Sequence, residues 1–115
     1  MSLIEIQPPI VNSGNLYSKE RVIADLRNRL MRASGEPIQT SLAILVDQAE
    51  NALKLAERHL PNPQTPSFKI WEYVYFPIEE YMQDLVRHGP EGKIYAGVCF
   101  EVMKDLITKS PHFHE

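Results

Sequence analysis

The sequence predicts an all-α chain, a small four-helix arrangement with an extended N-terminal arm, and three observations carry that reading. From Thr40 to Leu60 there is no Gly or Pro, and Leu42, Leu45, Ala49, Ala52, Leu53, Ala56 and Leu60 recur at three- and four-residue steps. That spacing stacks them on one side of a helix as a stripe that water disfavours. Ile70, Val74, Ile78, Tyr81 and Leu85 keep the same spacing straight through Pro77. Gly35, the Pro61–Pro66 segment and Gly89-Pro90 punctuate the chain between periodic stretches.

Residues 1–17 read as an extended arm. Pro8 and Pro9 forbid helix, and Asn12 to Asn15 is turn chemistry. Leu3, Ile4 and Ile6 could pair as a short edge strand. Residues 18–115 then form a single helical domain. Ser18 is the expected N-cap of a first helix over 18–34, with Val22, Ile23, Leu26 and Leu30 as its stripe and Gly35 as its closing residue. Pro37 suits the first turn of a second helix over 37–60, ended by Pro61 and Pro63. A short connection around Gly35 makes these two an antiparallel hairpin.

Pro61-Asn62-Pro63-Gln64-Thr65-Pro66 is a stiff polar linker. Beyond it, residues 67–88 read as a helix bent near Pro77, and residues 90–109 as a fourth helix. In the fourth, Tyr95, Val98, Cys99, Val102, Met103 and Leu106 share a helical face. The alternative is an α+β chain with strands near 68–76 and 93–102. The first is rich in aromatic and β-branched residues, and Ile94, Ala96, Val98, Phe100 and Val102 alternate. Two strands need a third for stability, and only the arm at residues 3–6 offers one.

At 115 residues, 43% hydrophobic and 23% charged, the composition is that of one soluble globular domain. A formal charge of −3 argues against a protein built mainly to hold nucleic acid or anionic lipid. The single cysteine, Cys99, excludes an intramolecular disulfide, and no apolar run matches a secretory leader or a membrane helix. The expected location is the cytoplasm.

No residue pattern assigns a catalytic, cofactor or metal site. Gly89-Pro90-Glu91-Gly92-Lys93 lacks phosphate-loop spacing. Glu79, Glu80 and Asp84 follow Pro77, where they complement a helix dipole, and His59 and His88 suit helix C-termini for the same reason. His112 and His114 with Glu115 form a tail that reads as a frayed end able to hold a metal ion adventitiously. Cys99 reads as a buried structural thiol.

Two surfaces remain as candidates. More than half of the aromatic residues lie between Phe68 and Tyr81. A single core cannot easily absorb them all, so Trp71, Tyr73, Tyr75 and Tyr81 form the expected partner or ligand surface. On the first helix Arg21, Arg29 and Arg32 fall within about a quarter of the circumference at roughly 100° per residue and are possible phosphate contacts, although Asp25 sits among them. A helix-turn-helix is disfavoured, because the second helix offers polar Gln39, Thr40 and Ser41 only at its start. The functional expectation is a non-catalytic interaction or regulatory protein. It would pair with itself, with Ala49, Ala52 and Ala56 permitting close helix approach, and bind an unidentified protein. A nucleic-acid-binding regulator and a small-molecule binder at the aromatic cluster are the alternatives.

Overall fold

The computed structural model describes residues 17–115; the expected arm, with its Leu3–Ile6 strand, lies outside them apart from Tyr17. Helix α1 runs Lys19–Met31 and α2 runs Leu42–His59. A third rod is composite: an α-turn α3 at Ser67–Lys69, a π-helical stretch Ile70–Tyr75 and helix α4 at Phe76–His88. Helix α5 spans Pro90–Lys109. The four rods are those the periodicity predicts, and the strands expected in the α+β alternative are helical. The two-residue strands β1 (Tyr17–Ser18) and β2 (Phe113–His114) pair in parallel, Tyr17 opposite Phe113.

Local chemistry sets the boundaries. The Ser18 hydroxyl accepts from the Arg21 amide at 3.3 Å, capping α1 as expected. Helix α2 begins later than Pro37 suggests: Ser41 is its cap, its hydroxyl accepting from the Ala43 amide at 3.2 Å. A side chain that satisfies an orphan amide outweighs a proline that merely tolerates the first turn. Helix α1 likewise ends at Met31, before Gly35, which lies in the following turn.

Pro77 is accommodated in the third rod without breaking it, since the π-helical stretch runs directly into α4. A proline ring in a regular α-helix collides with the carbonyl of residue i−4. Here the preceding turn is widened, and the Phe76 amide donates to the Trp71 carbonyl five residues back. The aromatic and β-branched stretch is therefore π-helical, not extended.

Helices α4 and α5 pack most closely, and α2 lies across both. They are joined by Gly89 alone, at φ +135°, a conformation that residues with a Cβ rarely adopt. Gly92 lets α5 pass directly against the end of α4: a Cβ there would stand 2.1 Å from the Leu85 carbonyl oxygen. Leu45, Ala49, Ala52 and Ala56 of α2 face Ile70, Val74, Ile78, Met82 and Leu85, with Ala96, Phe100, Met103 and Ile107 of α5 completing the core.

Two expectations about partners change. The hairpin is one of sequence more than of packing, because α1 lies mainly against α5 and α4 rather than α2. Only Val22 and Leu26 of α1 are fully buried, and they seat it there. The alanines proposed for self-association are core residues: Ala49, Ala52 and Ala56 are at most 5% exposed.

The C-terminal tail is docked, not frayed. The Ser110 hydroxyl donates to the Leu60 carbonyl at 2.6 Å and accepts from the His112 amide at 3.1 Å. His112 Nε2–H donates to the Asn62 carbonyl at 2.7 Å, which also accepts from the Thr65 amide at 3.2 Å, so the tail is fastened to the turn of the proline linker. Phe113 is buried against Trp71. No helix among the described residues is long and apolar enough to cross a membrane.

Candidate functional site

The aromatic cluster divides between inside and outside. Tyr73 sits two residues from both Trp71 and Tyr75, and on a helical rod that places it on the far side. Trp71 and Tyr75 are 3% exposed, whereas Tyr73 is 55% exposed. The Trp71 ring meets Tyr75 at 4.9 Å, Phe113 at 6.0 Å and Tyr17 at 6.3 Å between centroids, all edge-on. Such pairs each add about 0.5–1.5 kcal/mol beyond burial. Burial also pushes the Tyr75 hydroxyl well above the usual tyrosine range. Tyr81 is half-buried against the core, and Tyr73 makes an edge contact with Phe68 on the outside. The space around Trp71 is filled by the protein's own rings, so Trp71, Tyr73, Tyr75 and Tyr81 do not form one open surface. The surplus of rings is absorbed by the docked tail and the first strand, both distant in sequence.

The three arginines also separate. The Arg21 guanidinium stacks 5.2 Å over the Tyr17 ring, which removes it from the group. Arg29 and Arg32 do come together, in a shallow cleft of about 400 Å³ between the end of α1 and the side of α4. Asp25, Asn28, Ser34 and Gln83 complete its polar lining.

Behind the cleft lies a residue that the sequence placed only at a helix dipole. Glu79 is 8% exposed, and its Oε2 stands 2.7 Å from Arg29 Nε. Arg29 Nε–H donates to Asp25 Oδ2 at 3.3 Å, so the closer Glu79 contact is an ion pair without a directed hydrogen bond. Burial raises the Glu79 pKa above the usual carboxyl range, and Asp25 adds to the rise, while Arg29 opposes it without cancelling it. Asp25, Arg29 and Glu79 thus tie α1 to α4 through one guanidinium. The available sequence signal is that Glu79 follows Ile78 directly, at the edge of the buried stripe Ile78, Met82 and Leu85.

A third feature lies on α5. The core face of this helix is Gly92, Ala96, Cys99, Phe100, Met103 and Ile107. Tyr95 and Val98, expected to face inward, are rotated out. Ile94 is 69% exposed, Val98 56% and Tyr95 46%, and half-buried Val102 continues the strip. Because α5 is apolar on both sides, periodicity alone could not say which side the core would take. Glu91, Glu101 and Asp105 border the strip.

The remaining candidates have structural partners. His59 Nδ1 is 3.2 Å from the Thr65 hydroxyl, and His112 is held by Asn62, so the two rings serve separate contacts. Burial, with Lys69 and Arg58 nearby, lowers the His59 pKa. Burial pushes the Cys99 thiol up to about 11, which keeps it protonated and unreactive at neutral pH. Among the described residues, no group of three or more His, Cys, Asp or Glu side chains converges as a metal site would require.

Comparison with protein-family models, curated proteins and solved structures finds no match to this chain.

Proposed function

We propose that this chain is a non-catalytic cytoplasmic interaction protein that pairs with a second copy of itself through the outer face of α5. The observation that carries the reading is the exposed strip Ile94, Tyr95 and Val98 on a helix whose opposite face already supplies the core. Large apolar side chains aligned along one exposed helix face mark an association surface more often than scattered ones do.

A second copy suits the strip because a two-fold axis makes such a face self-complementary. In an antiparallel pairing centred at the level of Phe100, Val98 of one copy faces Val102 of the other and Ile94 faces Leu106. Glu91 then falls level with Lys109 at both ends, so opposite charges meet on the rim. Rim pairs add little affinity but fix orientation.

Light scattering at micromolar concentration tests this directly. The wild-type chain should give a dimer mass. Val98→Glu should give a monomer with unchanged helical circular dichroism, since the side chain already faces water. A wild-type monomer at tens of micromolar overturns the proposal.

A further inference from the structure

We infer that the cleft between the end of α1 and the side of α4 binds a small oxyanion, a carboxylate or phosphate group carried by a small molecule. The site is separate from the α5 strip and does not rest on the dimer.

Its lining is a set of donors with little else to do. Among the described residues, the side chains of Asn28, Arg32, Ser34 and Gln83 make no hydrogen bond or ion pair, yet all border the same concavity. Arg29 spends only its Nε on Asp25 and Glu79. Its two terminal nitrogens stay available, and two acids hold the guanidinium in place. A fixed, forked cation is what planar oxyanion recognition uses, and a mobile surface arginine lacks that preorganisation. Two carboxamides and a hydroxyl supply neutral donors around it.

Asp25 narrows the class of ligand. It stands on the rim beside both arginines and repels an extended run of phosphates, which disfavours a nucleic-acid backbone. A small anion avoids that clash when it carries a hydroxyl or ammonium that donates to Asp25 while its charged end meets Arg29 and Arg32. The chemistry fits a hydroxy acid, an amino acid or a small phosphomonoester, all of a size that about 400 Å³ accommodates.

An amide-resolved nuclear magnetic resonance titration with L-lactate, and separately with inorganic phosphate, tests the site. Sodium chloride at matched ionic strength is the control. At least one oxyanion should shift the amides of residues 28–34 and 83 saturably at millimolar concentration. A lactate response assigns a carboxylate ligand, a phosphate response a phosphoryl one, and both together a general oxyanion site. Arg32→Ala and Gln83→Ala should each weaken the response at least fivefold with unchanged thermal melting. Equal shifts from chloride, no saturable shift from either anion, or an unaltered response in Arg32→Ala would overturn the inference.

Discussion

Glu79 is the residue whose charge matters most to the fold, because it is the one acid among the described residues that is almost wholly buried. Its folded pKa is raised, so the folded chain holds this proton more tightly than the unfolded chain does. Linkage gives the sign: the associated stability is complete below the ordinary carboxyl range and is lost as pH climbs to the raised folded value. Glu79→Gln keeps the shape and removes the titration. Its melting temperature should equal or exceed that of the wild type at neutral pH, with the difference shrinking toward acid. A variant that falls further below wild type as pH rises would show that the Arg29 pair outweighs the burial cost. Charge at this position was invisible to periodicity, because a glutamate after Pro77 is equally well explained by an exposed first turn.

At the scale of elements, the two glycines of α5 make opposite demands. A Cβ at Gly92 meets the backbone of α4, which cannot rotate away, whereas one at Gly97 meets nothing within 4 Å. Gly92→Ala should cost about 1–3 kcal/mol or more, as overpacking does. Gly97→Ala should gain up to about 1 kcal/mol from helix propensity. Chemical denaturation of the pair checks both signs at once. The rods themselves were legible from the sequence, including the Ser18 cap and the proline linker. Their faces were less so: Ser41 overrides Pro37 as the start of α2, and α5 turns Ile94 and Val98 outward because either of its sides could have filled the core. The candidate site was half legible. Arg29 and Arg32 share a cleft as their spacing suggested, but Gln83 reaches it only through the packing of α4 on α1.

Across the whole molecule, the two ends of the described chain converge on Trp71, with Tyr17 on one side and Phe113 on the other. This tryptophan therefore reports on the tail. Phe113→Ala should shift Trp71 emission to longer wavelength and lower stability by about 3–5 kcal/mol, the usual cost of removing a buried phenyl ring. Unchanged emission would mean that the tail does not shield the indole. None of this could be read from local sequence, since Pro111 and two histidines look like an ordinary fraying end.

The parallel clasp of Tyr17–Ser18 with Phe113–His114 joins positions almost as far apart along the chain as the described residues allow. Lys19 Nζ, donating to the Thr108 carbonyl at 2.7 Å, spans nearly the same distance. Closing so large a loop is entropically costly before the intervening rods have condensed. The clasp therefore belongs to the last stage of assembly, and on dilution into denaturant it should be the first seam to part.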